Sequence, residues 1–237
     1  MSRQLTSGVL GRKKKTHLLS FDGVDDYVNM GYVLPMGLND RTHEFMFKIR
    51  SVGAGTQTIL SKARAGGSNG RYFNAFNNTQ FRGFLQADEN KDLNIGWSLL
   101  SVNTWHHCAT VYDRDGLMSI YIDGVLADTM DISDGAALDL GGHNLFGLGA
   151  YQNSSGSAFT QLFFNGWLSE VRVWNKVRSQ ADIQADMLKR LTGEESDLLA
   201  YWPLSEGEGS VANDNASTIN GTIYGATWEK AESDFPL

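Results

Sequence analysis

The side chains best equipped for chemistry fall in a few short stretches. "FDGVDDYVNMG" places Asp22, Asp25 and Asp26 in one turn. Carboxylates are hard oxygen donors and Ca²⁺ takes roughly 6–8 such oxygens, so these three are the candidate calcium ligands. "FNGWLSEVRVWN" gathers Trp167, Glu170, Arg172 and Trp174, the residue types of a sugar-cleaving strand. Retaining hydrolysis needs two carboxyl groups about 5–5.5 Å apart. On one strand that means acids at i and i+2 or i+4, where both reach the same face. Glu170 meets Leu168, Arg172 and Trp174 at those spacings. With no acid beside it, Glu170 is expected to pair with Arg172 or a neighbour, or to serve a metal site, and the chain is expected to have no catalytic residues. His106 and His107 are adjacent, so on a strand they point opposite ways and cannot share one ion. No Ser-His-Asp set or H-E-x-x-H spacing occurs.

Two further stretches have the chemistry of sugar recognition, in which aromatic faces stack and amides or charged groups bond hydroxyls. "NGRYFNAFNNTQFRGF" supplies Tyr72, Asn74, Phe76, Asn78 and Arg82. "YQNSSGSAFTQLFFNGW" supplies Tyr151, Asn153 and Trp167. These eight are the candidate glycan-binding residues.

The elements that must position them read as strands. "HEFMFKIRS" alternates, with Phe45, Phe47 and Ile49 on one face and Met46 and Lys48 on the other. In "TWHHCATVYDRDGLMSIYIDGVLADTM" three strands are joined at Asp115-Gly116 and Asp123-Gly124, both strong hairpin signals. Trp105, His107, Ala109 and Val111 share one face there, and His106, Cys108, Thr110 and Tyr112 the other. A hairpin is also expected around Asn77-Asn78, and without calcium Asp22-Gly23 is expected to be a hairpin turn with Asp25 and Asp26 solvated. One helix interrupts the strands: Ser179 caps it, Asp182 stands at capping-box spacing, Ile183, Met187, Leu188 and Leu191 form its stripe, and Gly193 stops it.

Composition sets bounds. The chain has 237 residues, 41% hydrophobic and 20% charged, with 26 Gly against 3 Pro, which favours many tight turns. A lone cysteine, Cys108, rules out an intrachain disulfide. No apolar run approaches the ~20 residues of a membrane span, and the N-terminus has no h-region of a secretory signal, so retention in a cytoplasm or non-classical release is expected. Arg3, Arg12, Lys13, Lys14 and Lys15 precede the first acid, Asp22; the rest carries 15 basic against 27 acidic residues, a balance of −12. An acidic body is a poor phosphate binder, which argues against nucleic acid as a partner. Residues 1–16 read instead as a basic arm that docks on neighbouring protein subunits, and 17–237 as one domain.

Together, "LSFDGVDDYVNMG", "QTILSKA", "NTWHHCATVYDRDGLMSIYIDGVLA", "NLFGLGA", "FNGWLSEVRVWNKVRSQADI" and "LLAYWPLSEGEGS" resemble the laminin-G-like branch of the concanavalin A-like lectin/glucanase superfamily. The resemblance spans about residues 17–230. It implies an all-β, antiparallel two-sheet jelly-roll sandwich with one short helix in the C-terminal half. It also implies a structural calcium near the Asp22–Asp26 turn, although Ser169 stands where the family usually has an aspartate. Such folds host lectins, glycosidases, lyases and adhesion modules. The expected role is a recognition or adhesion module, set on a phage virion surface as a capsid decoration or tail-associated protein and binding host or environmental glycans. The alternative is a carbohydrate-binding lectin or a glycoside hydrolase or lyase of the same superfamily.

Overall fold

The computed structural model describes residues 17–53, 55–63, 70–86 and 89–237. Arg3, Arg12, Lys13, Lys14 and Lys15 of the expected arm lie outside the described residues. The strands in chain order are β1 (His17–Asp22), β2 (Tyr27–Gly31), β3 (Arg41–Ile49), β4 (Gln57–Lys62), β5 (Arg71–Phe76), β6 (Gln80–Gln86) and β7 (Asn90–Gly96). There follow β8 (Trp105–Tyr112), β9 (Leu117–Ile122), β10 (Val125–Asp131), β11 (Phe146–Leu148), β12 (Tyr151–Gln152), β13 (Phe159–Gln161) and β14 (Asn165–Trp174). Helix α1 (Gln180–Asp186) precedes β15 (Leu198–Trp202), β16 (Val211–Ala212), β17 (Gly221–Tyr224) and β18 (Thr227–Lys230).

Sixteen of the strands form two eight-stranded sheets, and β12 and β13 pair with each other as a separate two-stranded sheet. The first runs β10-β9-β8-β3-β14-β1-β18, with β15 also on β14; the second runs β16-β17-β2-β11-β4-β5-β6-β7. Alternation turns Phe45, Phe47 and Ile49 of β3 and Cys108 and Tyr112 of β8 inward, where they meet Val28, Phe76, Phe81, Leu85 and Phe146 of the second sheet. This is the jelly-roll sandwich that the resemblance implies. The outer face of the first sheet is also covered: Ile183 of α1 packs on Ala109 and Val111, and Phe235 on Leu18 and Met46.

The turns follow local chemistry. Asp123 and Gly124 have φ of +51° and +75°, the pair of positive values that a two-residue hairpin needs. The Asp22-Gly23 turn has a different role from a hairpin. β1 pairs with β14 and β18, while β2 pairs with β11 and β17, so this turn carries the chain from one sheet to the other. Ser179 and Asp182 form the expected capping box, but the helix ends at Asp186, short of Leu188, Leu191 and Gly193. Arg172 ends it by donating to the Asp186 and Lys189 carbonyls, among the groups that a helix C-terminus leaves unpaired. Leu188 is consequently exposed. Among the described residues, no helix is long and apolar enough to cross a membrane.

Candidate functional site

The outer face of the second sheet carries an array of stacked aromatic and polar side chains. Register places Arg71, Phe73 and Ala75 of β5 opposite Gln86, Phe84 and Arg82 of β6, and these opposite Asn90, Asp92 and Asn94 of β7. Phe73 and Phe84 stack at 4.5 Å with rings 12° apart. Arg82 lies over Phe73 and Arg71 over Phe84, at 5.5 and 5.7 Å. Arg82 Nε and Nη2 donate to Asp92 Oδ1 and Oδ2 at 3.1 and 2.5 Å, a fork that holds both planar groups in one orientation. Arg71 Nε donates to Gln86 Oε1. The rings themselves are 8% and 6% exposed, so they act as a rigid backing. Solvent meets the polar groups: the half-buried Arg71, Arg82, Gln86 and Asp92 and the exposed Asn90 and Asn94.

The β12–β13 hairpin closes one flank of this array. Tyr151 meets Phe73 edge-on at 5.5 Å, and its hydroxyl is hydrogen-bonded by Arg71. Burial raises the Tyr151 pKa against the opposing effect of Arg71 and Arg82, so it stays a neutral hydroxyl. Asn153 sits beyond it and ties the 153–158 turn, its Oδ1 accepting from Ser155 Oγ and Ser157 N.

Of the eight glycan-binding candidates, Arg82 and Tyr151 thus assemble on one face, with Asn153 at its margin. Tyr72, Asn74 and Phe76 are corrected to interior residues, because alternation is right but the face is the inner one. Tyr72 donates to the Leu34 carbonyl and Asn74 to Thr110 Oγ1, and Phe76 joins the core, all fully enclosed. Asn78 lies at the exposed tip of the β5–β6 hairpin. Trp167 belongs to the other sheet, where its Nε1 donates to Glu229 Oε2 at 2.9 Å and Arg50 covers its ring at 4.1 Å. The residues missed from the sequence are Arg71, Phe73, Phe84, Gln86 and Asp92. For the first four the signal was the same hairpin with its phase advanced by one residue, while Asp92 comes from β7.

Asp22, Asp25 and Asp26 do converge, with one oxygen from each within 4.8 Å of the others. Asp26 is buried and its Oδ2 accepts from the Asp22 amide at 2.8 Å. Burial and the neighbouring Asp22 and Asp25 charges raise its pKa, against the amide hydrogen bond. A hard divalent cation would relieve that repulsion, so the donor set fits calcium.

Glu170 lies elsewhere, beneath α1. Ser169 faces Met46 and Arg172 faces Glu44, so two residues of β14 oppose Phe45 alone. This bulge, with Glu170 at φ +53°, reverses the phase of the strand. Leu168, Val171 and Val173 point into the core while Glu170 and Arg172 share the outer side. Glu170 Oε2 accepts from Tyr201 Oη at 2.5 Å and from Arg172 Nη2 at 3.4 Å. A second carboxylate absent from its own strand, Glu44, approaches the same guanidinium at 3.5 Å. Both acids are enclosed. Arg172 bridges them and Arg178 Nη1 also donates to Glu44 Oε1, which makes the cluster an ion-pair network in the frame. His106 is likewise structural: its Nδ1 meets Asp123 Oδ2 at 2.8 Å and its Nε2 accepts from the Ser101 amide.

Residues 22–184 match the family described as the laminin G type of the concanavalin A-like lectin/glucanases superfamily. No curated protein matches the chain in sequence. Among solved structures, a candidate carbohydrate binding protein from Bacteroides ovatus is similar with TM-score 0.71 and 23% identity, over 93% of this chain and 61% of its own. The chain therefore spans about three fifths of that neighbour's length. The heptameric SAP-like pentraxin of Limulus polyphemus is similar at TM-score 0.56 and 20% identity, over 72% of this chain and 81% of its own. The Ruminococcus gnavus IT-sialidase CBM40, bound to α2,3-sialyllactose, gives 0.51 and 18%, over 69% and 95%. At such identities the likeness establishes the fold.

Proposed function

The chain belongs to the laminin G-like family of the concanavalin A-like lectin/glucanases superfamily, and on that premise we propose that it is a carbohydrate-recognition module using the outer face of its second sheet. The observation that carries this role is the rigid Arg82–Asp92 fork on the Phe73–Phe84 pair, with Asn94, Asn90 and Gln86 in register around it. Fixed donors and acceptors on one plane match a ring of hydroxyls. Because their rotamers are already set, binding costs little ordering entropy. The neighbours described as carbohydrate-binding support the same role.

A glycan array followed by calorimetry on the best ligand tests it. Arg82→Ala and Asp92→Ala should each weaken binding by about tenfold or more, since each leaves a charged partner unpaired. Trp167→Ala, on the opposite sheet, should leave affinity unchanged. Equal affinity in all three variants would refute the site. A reducing-sugar assay on the same ligand separates binding from turnover.

Calcium at Asp22, Asp25 and Asp26 forms part of the proposal as a structural ion. Its test is a thermal melt with and without chelator, repeated for Asp26→Asn, in which the chelator should lower Tm only for the parent chain. The proposed setting is the surface of a phage particle, reached through the basic segment 1–16. The opposite charge of arm and body supports such docking on an acidic neighbour. Loss of particle incorporation on deleting residues 1–16, with unchanged glycan affinity, is the expected result, and normal incorporation counts against it.

A further inference from the structure

The outer face of the second sheet has a second aromatic patch, across the β12–β13 hairpin from the Arg82–Asp92 array. Tyr224 of β17 and Tyr27 of β2 are directly paired in register, and their rings stack at 4.6 Å and 16°. Tyr27 in turn meets Phe159 of β13 at 5.3 Å. Phe159 is buried against the backbone of β11, where a Cβ on Gly147 would lie 2.3 Å from its ring. The three rings form a ladder that starts in the protein and ends at Tyr224, which is 44% exposed. One face of the Tyr224 ring is thus held in place from behind, and much of the residue stays in water.

The margin of this ladder is polar. Asp26 precedes Tyr27 and Gly225 follows Tyr224, and a Cβ on Gly225 would stand 2.1 Å from Asp26 Oδ1. Asp22 and Asp25 are exposed in the same turn. Thr222 and Asn29 are paired on the same strands two residues from the rings.

We propose that Tyr224 and Tyr27 form a second sugar subsite that takes a neutral pyranose, its C–H face on Tyr224 and its hydroxyl edge toward the Asp22–Asp26 turn. A pyranose has both surfaces this patch offers to complement: an apolar patch on one side of the ring and a hydroxyl rim. A flat ring bordered by carboxylates matches that layout. In chelator, with the turn free of calcium, its three acids repel a carboxylate-bearing sugar, so the ligand tested there is the uncharged one. This rests on the glycan-binding role proposed above but on different residues.

The test uses methyl β-galactoside and methyl β-glucoside, with glucuronic acid as the charged comparator, in saturation-transfer NMR and calorimetry. Neutral glycosides should receive saturation on their C–H face and glucuronic acid should not. Tyr224→Ala should weaken them roughly three- to tenfold, the value of one aromatic stack, and Tyr224→Phe should bind within about twofold of the parent. Tyr224 is on the surface of a short strand, and an unchanged thermal melt verifies the fold of each variant. No saturation transfer to the parent, or equal binding by parent and Tyr224→Ala, overturns the subsite. Arg82→Ala separates the two sites. Loss only in Arg82→Ala overturns the subsite and leaves the first site standing. Loss only in Tyr224→Ala supports the subsite and counts against the first.

Discussion

Replacing Glu44 by glutamine keeps the side chain's shape and removes one buried charge. Glu44 is 0% exposed, on the outer side of the first sheet beneath α1. Arg178 Nη1 donates to its Oε1 at 2.6 Å, and Arg172 Nη1 and His107 Nε2 stand 3.5 and 3.3 Å from Oε2. Burial alone would raise its pKa. The hydrogen bond from His107 and the charges of His107, Arg172 and Arg178 outweigh that and hold it at about 2, against 4.5 ordinarily. Arg178 makes the shortest contact of the three. The difference corresponds to about 3 kcal/mol, in line with the cost of breaking a buried ion pair. Because the folded pKa is depressed, this contribution is complete above pH 4.5 and is lost as pH falls toward 2. Urea titrations at pH 7 should therefore show Glu44→Gln less stable by about 3 kcal/mol with unchanged slope, and the gap should be roughly halved at pH 3. Amide exchange in α1 should quicken as well, since Arg178 also bonds Asp186 Oδ2 and the Asp182 carbonyl. A loss below ~1 kcal/mol at pH 7, or a gap equally wide at pH 3, would refute the account.

Other outcomes follow from the same geometry. Burial pushes the Lys62 ammonium down to about 8 from 10.5, so the folded protein binds fewer protons than the unfolded chain between those values. Stability should rise with pH across that window by up to about 3 kcal/mol, and Lys62→Met should abolish the rise; an identical rise in the variant would disprove it. Phe235 packs edge-on to Trp105 at 4.8 Å, while Lys48 holds Glu232 and Asp234 at 2.9 and 2.8 Å. Phe235→Ala should cost about 2–3 kcal/mol and shift tryptophan emission to the red; unchanged emission would mean the C-terminal segment is not docked. Gly147→Ala drives a methyl into the Phe159 ring and toward the Val28 carbonyl. It should cost about 1–3 kcal/mol and weaken galactoside binding with it, and a variant as stable as the parent would contradict the ladder's anchoring.

What could be read from local pattern was what local chemistry controls. Asp123-Gly124 makes a hairpin because Gly, and here Asp, accept positive φ. Ser179 and Asp182 satisfy the first amides of α1 without help from any distant residue. The two-faced composition of β3 and β8 follows from the pleat itself. That Glu170 pairs with Arg172 instead of a second acid on its strand was legible for the same reason.

The rest depended on which strands lie side by side. Alternation sorts Tyr72, Asn74 and Phe76 from Arg71 and Phe73, but both sets contain aromatics, so the pattern alone does not say which set faces in. That choice falls to the surface the opposing sheet offers, and here Phe73 was left outside to back Arg82. The Asp22–Asp26 turn passes between sheets because β1 and β2 each gain more from other partners. The bulge at Glu170 shifts a strand's phase by one residue, and Glu44 reaches Arg172 from a segment more than a hundred residues earlier in the chain. The chain's own sequence therefore determined the strand character, the Asp123-Gly124 hairpin, the start of α1 and the family. The assembled sandwich alone decided which side chains share a face, because burial is settled by the summed apolar area of strands far apart in sequence.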